Sequence, residues 1–303
     1  KDKYWEIQKI ILMFEGVFPA LITPFQRNHG RNLDLDGLRS NIAHLVAAGV
    51  HGVVPCGSTG ESATLSFAEH EQVVEVTIDE AGGKVPVLAG TGSNNTSEAL
   101  RFTRAAKDAG ADGVLVISPY YNKPNRSGLV KHYTALADCD IPVVVYNVPG
   151  RTGQNVTPDV IAELAKHPNI VGVKEASGDV GQISSIIELT KDEDFSVISG
   201  DDNLTLPILA LGGKGVISVA ANLYPKPMIE MYDAVQNGDY QTARDIHYTY
   251  SLLFRSMFIE SNPIPVKKAA ELLGMAAGPL RLPLDEASEQ TTAKLKEVLS
   301  RYD

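Results

Sequence analysis

The 303-residue sequence predicts an α/β fold, a (β/α)8 barrel (TIM barrel) with a C-terminal helical extension. Three patterns carry that reading. Eight short runs rich in β-branched residues are apolar throughout rather than alternating, as strands buried on both faces of a parallel sheet must be. Segments of helical periodicity separate them. After Gly238 the strands stop and only helical patterns remain. A doubly wound open sheet is the alternative, but no G-x-G-x-x-G follows the first run.

The runs begin near Gly16 (GVFPALITP), Gly52 (GVVPC), Val85 (VPVLAG), Gly113 (GVLVISP), Pro142 (PVVVYNVP), Val171 (VGVKEAS), Phe195 (FSVISGDD) and Gly215 (GVISVAAN). Between the first two, residues 34–48 place Leu38, Ile42, Leu45 and Val46 on one face and stop at Gly49, a helix C-terminal signal. Ser66 with Glu69 predicts a capping box for the next helix, and Asn95 with Glu98 predicts another. Further helices are expected over 126–137, 157–166, 180–190, 203–211 and 225–237, and beyond Gly238 over 239–258, 265–273 and 285–300. The joins at 48–53, 109–114 and 211–216 resemble one another, each linking a helix end to a strand start. The expected organisation is an extension at 1–12 before a natural start at Met13, a barrel over 13–238 and a helical region over 239–303.

Composition excludes several functions. Lys plus Arg number 27 against 37 Asp plus Glu, a net charge of −10, and the cations are not clustered. Phosphate neutralisation needs clustered cations, so no nucleic-acid partner is expected. No apolar run approaches the ~20 residues that span a bilayer, so no membrane association is expected. Two cysteines, Cys56 and Cys139, make no disulfide framework and suggest a reducing compartment, hence a cytoplasmic location.

In such a barrel the chemistry lies at the carboxyl ends of the strands. The run at Val171 ends Val173-Lys174-Glu175-Ala176. Alternation puts Val171 and Val173 on one face and Gly172, Lys174 and Ala176 on the other, so Lys174 is expected to point inward among small neighbours. A desolvated ammonium loses its proton more easily and becomes a nucleophilic amine. The structural alternative is an ion pair with an acid such as Glu175. Tyr146 ends the preceding run on the same face as Val144, where its phenol could relay protons; filling the barrel is its ordinary role. Arg151 follows in the next loop, where a planar fork suits a carboxylate or a surface salt bridge. Residues 55–62 carry Ser58 and Thr59 between glycines, an arrangement suited to an anion or simply to a turn.

Asp201 and Asp202 follow the run at Phe195, where barrel phosphate sites usually lie, and would repel phosphate. The seven histidines lack metal-ligand spacing, so no metal is expected. An inward lysine without a metal implies a Schiff base to a carbonyl substrate.

The segments Gly57-Ser58-Thr59-Gly60-Glu61-Ser62, Pro119-Tyr120-Tyr121-Asn122, Tyr146-Asn147-Val148-Pro149-Gly150-Arg151-Thr152-Gly153, Gly172-Val173-Lys174-Glu175-Ala176, Ser199-Gly200-Asp201-Asp202 and Asn262-Pro263-Ile264-Pro265-Val266-Lys267 together resemble the dihydrodipicolinate synthase family. That family belongs to the pyruvate-dependent class I aldolases, which also include N-acetylneuraminate lyases. The resemblance runs from about Met13 to the C-terminus. It implies a lyase condensing pyruvate with L-aspartate-4-semialdehyde on the diaminopimelate route to lysine, with no cofactor beyond the covalent pyruvate–lysine imine. It further implies that Lys174 forms the imine and that Tyr146 donates and accepts protons through Ser58, Thr59 and Tyr121. Tyr121 would reach a neighbouring subunit of a homotetramer. Thr59 and the backbone at Ile217 would hold pyruvate, Arg151 the semialdehyde carboxylate, and Gly200 would also contribute to substrate binding. Ser62, Ala63, His70, Asn94, Glu98 and Tyr120 match a lysine feedback site, with Phe67 where the family has a histidine. The Ser58-Thr59 pair, where the family usually has two threonines, is common in N-acetylneuraminate lyases. An aldolase for sialic or 2-keto-3-deoxy sugar acids is therefore the neighbouring reading, and a non-catalytic small-acid sensor the one from another class.

Overall fold

A computed structural model of the chain describes residues 14–27 and 30–302, so the expected extension at 1–12 lies outside the described residues. Seven parallel strands form one sheet: β1 (Gly16–Pro19), β2 (Leu88–Gly90), β3 (Gly113–Ile117), β4 (Val143–Asn147), β5 (Ile170–Glu175), β6 (Ser196–Ser199) and β7 (Gly215–Ser218). Their order is β1-β7-β6-β5-β4-β3-β2. The run at Gly52 is not a regular strand. Val53 and Val54 make isolated parallel bridges to Val87 and Ala20, beside the two edges of the sheet. Val54 N donates to Pro19 O at 3.0 Å and Leu88 N to Val53 O at 3.0 Å, so the segment joins both edges. It is short for a local reason: Pro55 has no N–H to continue a ladder, and Cys56 turns the backbone to φ 56°.

Helices connect the strands: α1 (Leu35–Ala48), α2 (Phe67–Ala81), α3 (Thr96–Ala109), α4 (Arg126–Ala137), α5 (Pro149–Thr152), α6 (Pro158–Leu164), α7 (Val180–Leu189), α8 (Thr205–Ala210) and α9 (Pro225–Gln236). The C-terminal region adds α10 (Tyr240–Ser256), α11 (Ile264–Leu272) and α12 (Glu289–Leu299). Ser66 and Glu69 form the expected capping box of α2. The box expected at α3 does not form. Asn95 caps Ser97 N at 3.0 Å, but the Glu98 carboxylate accepts from Ser93 Oγ, which also takes the Asn95 N–H at 3.1 Å. The expected helix over 203–211 opens instead as a 3-10 turn, Asp202–Leu204, capped by Asp201.

Apolar side chains bury in three groups. Phe14, Phe18, Val54, Leu88, Leu115, Val144, Tyr146, Val171, Ile198 and Ile217 cluster together, one face of the strands. Val53, Val116, Val145, Val173 and Val197 lie on the other face, packed with residues of α1–α4, α6 and α7. Val17 and Val216 join a third cluster with Met228, Leu253, Val266 and Leu295 from α9–α12. The expectation that Val171 and Val173 share a face fails. The register between β4 and β5 shifts between Val143 and Val144, so Val143 pairs with Ile170 but Val144 with Gly172. A bulge of one residue reverses the alternation, and Val171 joins the face of Tyr146 while Val173 faces the helices.

Candidate active site

Lys174 lies near the carboxyl end of β5, opposite Tyr146 on β4 and Ile198 on β6. Only 6 % of it is exposed. Its Nζ sits 4.2 Å from the centroid of the Tyr146 ring. Burial pulls the ammonium pKa from its ordinary 10.5 to about 7; the Asp202 charge opposes that pull and the Arg151 charge adds to it. The ion pair with Glu175 does not form. That carboxylate accepts from Asn147 Nδ2 at 3.0 Å, Ser177 N at 2.7 Å and Gln182 Nε2 at 3.3 Å. Glu175 thus ties the end of β5 to β4 and α7 rather than to the lysine beside it. A Cβ at Gly200 would stand 3.1 Å from Lys174 Cε and 2.7 Å from Ala176 Cβ, so a side chain there would crowd the lysine.

The Tyr146 side chain is buried, which lifts its pKa to about 12 despite the nearby Arg151 charge. At neutral pH it is a phenol able to donate a proton. Arg151 is placed by the short α5 that directly follows β4, and its Nη2 donates to Asn262 O at 2.8 Å. Thr59 is buried, with its Oγ1 2.9 Å from Asn262 Nδ2, while Ser58 is half-buried in the same turn. No direct hydrogen bond joins Ser58 to Tyr146 among the described residues. Tyr121, at φ 74°, is 88 % exposed and meets solvent rather than Tyr146 of its own chain. Ile217 is buried on β7, on the Tyr146 side of the sheet.

Of the residues matched to a feedback site, Ser62, Ala63, Asn94 and Tyr120 lie in the segments after the second run, β2 and β3, whereas His70 is in α2 and Glu98 in the first turn of α3. Ser62 and Ala63 form the 3-10 turn Ser62–Thr64, and Asn94 O accepts from Asn122 Nδ2 at 2.8 Å beside Tyr120. Glu98 is held by Ser93. His70 differs: it is buried, its Nε2 is 2.8 Å from Gly90 O, and its ring lies 4.1 Å from that of Phe102. Burial lowers its pKa, so it serves as a neutral packing group. Phe67 stacks under Arg101 at 4.1 Å.

Two further residues at the site had no catalytic or binding role assigned from the sequence. Asp202 is buried, its Oδ2 accepts from Val219 N at 3.1 Å and Ala220 N at 2.8 Å, and burial lifts its pKa to about 6. Its signal was present as an aspartate at a strand end, but only as a repulsion against phosphate. Asn262 stands in one of the family-like segments, but nothing local gives it a role, because its partners lie 111 and 203 residues away in sequence. Among the described residues no group of three or more His, Cys, Asp or Glu could hold a metal ion. No described helix is long and apolar enough to cross a membrane.

A parallel α/β sheet that buries a lysine of near-neutral pKa at its carboxyl end, against a tyrosine and near an arginine, defines a lyase of the aldolase type. The chain belongs to the Dihydrodipicolinate synthetase family, whose profile matches residues 13–302. It is 90 % identical over 291 residues to the 4-hydroxy-tetrahydrodipicolinate synthase of Methanospirillum hungatei, covering 96 % of this chain and 100 % of that one. The crystal structure of dihydrodipicolinate synthase from Aquifex aeolicus is similar at a TM-score of 0.92 and 46 % identity, covering 95 % of this chain and 98 % of that chain. The chloride-inhibited dihydrodipicolinate synthase from Acinetobacter baumannii complexed with pyruvate matches at 0.92 and 40 % identity, again over 95 % and 98 %.

Proposed function

We propose that this protein is a 4-hydroxy-tetrahydrodipicolinate synthase, condensing pyruvate with L-aspartate-4-semialdehyde on the diaminopimelate route to L-lysine. The observation that carries the reading is Lys174, buried 4.2 Å from the Tyr146 ring, with burial pulling its pKa down to about 7. The amine adds to the keto carbon of pyruvate and the carbinolamine loses water, giving an iminium. That electron sink acidifies the methyl group, which gives up a proton to form an enamine. The enamine carbon bonds to the aldehyde carbon, whose oxygen takes a proton. The semialdehyde's own amine then displaces Lys174, closing the ring and restoring the free lysine.

Tyr146 supplies and removes these protons, with Ser58, Thr59 and the neighbouring subunit's copy of Tyr121 completing the relay. The exposure of Tyr121 in its own chain leaves it free for such an exchange. Thr59 and the backbone at Ile217 hold pyruvate, Arg151 receives the semialdehyde carboxylate, and Gly200 contributes to substrate binding. We read the segment at Val53 and Val54 as the eighth strand, making residues 13–238 a (β/α)8 barrel and 239–303 its helical extension. A cytoplasmic homotetramer, built from dimers and needing no metal or cofactor, completes the reading. Ser62, Ala63, Asn94, Glu98 and Tyr120 form a candidate lysine site in which His70 serves as a buried wall.

Borohydride reduction with pyruvate, peptide mapping and a semialdehyde turnover assay on one sample test this. The expected result is a pyruvyl adduct on the peptide bearing Lys174 together with semialdehyde consumption. An unmodified Lys174 would refute the imine, and cleavage of N-acetylneuraminate without semialdehyde turnover would move the protein to the neighbouring reading.

A further inference from the structure

We infer that Asn262 is a positioning residue that sets the Thr59 hydroxyl and the Arg151 guanidinium relative to each other; the inference rests on the roles proposed for those two groups. Asn262 precedes α11, outside the sheet, yet only 6 % of it is exposed. Its side chain and its backbone act on different elements. Nδ2 lies 2.9 Å from Thr59 Oγ1 in the turn at 55–62, and its carbonyl accepts from Arg151 Nη2 at 2.8 Å on α5. One residue therefore touches both ends of the span that two carboxylate-bearing substrates would occupy.

The direction of the first bond matters. An amide N–H donated to Thr59 Oγ1 occupies one of its lone pairs and leaves the hydroxyl proton free for another acceptor. A pyruvate carboxylate is such an acceptor. The second bond holds an otherwise exposed guanidinium by one nitrogen and leaves its other N–H groups to bind an anion.

The frame around Asn262 makes this a matter of side-chain chemistry rather than of loop placement. Five residues on, Lys267 is buried with its Nζ 2.7 Å from Glu61 Oε1, 3.1 Å from Thr23 O and 2.9 Å from Pro279 O. Glu61 Oε2 accepts from Arg281 N at 3.0 Å. That pair already fastens the C-terminal region to the turn carrying Thr59, so the Asn262 amide is not needed to hold the two together. Asn262 Oδ1 is buried without a partner among the described residues, which keeps the amide's one bond to protein on Thr59.

The test compares N262A and N262D with the native enzyme by steady-state kinetics, by thermal unfolding and by borohydride trapping of pyruvate. Both variants should unfold within a few degrees of the native protein. N262A should lose about 10-fold in kcat/KM for pyruvate, the scale of one buried hydrogen bond. N262D should lose more, chiefly as a raised KM for pyruvate, because its carboxylate would take the Thr59 proton. On a T59V background, N262A should cost little further, since the group it acts through is gone. Unchanged kinetics in both variants, or costs that simply add on the T59V background, would overturn the inference. Should N262A fail to fold, N262S and N262D carry the comparison. Failure of the native enzyme to trap pyruvate would instead overturn the proposed function, so the two failures are distinguishable.

Discussion

At the scale of single residues, the proposed chemistry turns on one amine and the charges around it. Folding takes Lys174 from an ordinary pKa of 10.5 to about 7, first through burial. Between those two values the unfolded chain holds a proton that the folded chain has shed. This group therefore makes the fold more stable as pH rises across that window. Imine formation needs the free amine, so its rate should climb with pH and reach half its plateau near pH 7. Stopped-flow or quench trapping across pH 5–9 reads this directly, and a midpoint near the ordinary lysine value would refute a desolvated amine. Asp202 opposes the depression with its negative charge. In D202N an amide oxygen can still accept from the Val219 and Ala220 N–H groups, but the charge is gone. The midpoint for imine formation should move to lower pH; an unchanged or higher midpoint would show that Asp202 does not act on the lysine.

At the scale of elements, the turn that follows the Val53–Val54 segment is the part most exposed to small changes. Gly90, at the end of β2, packs beneath it. A Cβ there would come within 2.3 Å of Cys56 O and 3.1 Å of Gly57 N, which are backbone atoms with no rotamer to yield. G90A should lose about 1–3 kcal/mol, the usual cost of overpacking. It should also lose turnover, because the displaced turn carries Ser58 and Thr59. Chemical denaturation and a kcat measurement check both, and a variant of native stability and rate would refute the contact. The helix runs and the Ser66–Glu69 cap were legible because their signals are local and periodic. The Asn95–Glu98 box was misread because Ser93, two residues before the cap, competes for the same glutamate. The faces of β5 were misread because a register shift is set by the partner strand, which alternation within one strand cannot reveal.

At the scale of the whole molecule, the C-terminal helices are wired into the carboxyl end of the sheet. The Lys267–Glu61 pair spans 206 residues and is almost wholly buried, with 1 % and 0 % of the two side chains exposed. Removing one partner strands the other charge in the interior, so K267M should lose about 3–5 kcal/mol. E61Q/K267M should recover part of that loss, because the lone buried carboxylate is then neutral. Equilibrium unfolding of the three proteins decides it; a K267M variant as stable as the native chain would mean that the pair contributes nothing. Lys267 belonged to a motif visible in the sequence, but its partner did not follow from that motif.

What the sequence determined alone was everything written in short-range periodicity and residue chemistry: the apolar runs, the intervening helices, an inward lysine, and the ordered motifs of its family. What the tertiary structure decided was which distant groups meet. It separated Glu175 from Lys174, set Asp202 as the lysine's opposing charge, and brought Asn262 to Thr59 across 203 residues. The reason is physical. Backbone propensity and alternation act over a few residues, whereas burial, ion pairing and hydrogen bonding between buried groups depend on the closed arrangement of the whole chain.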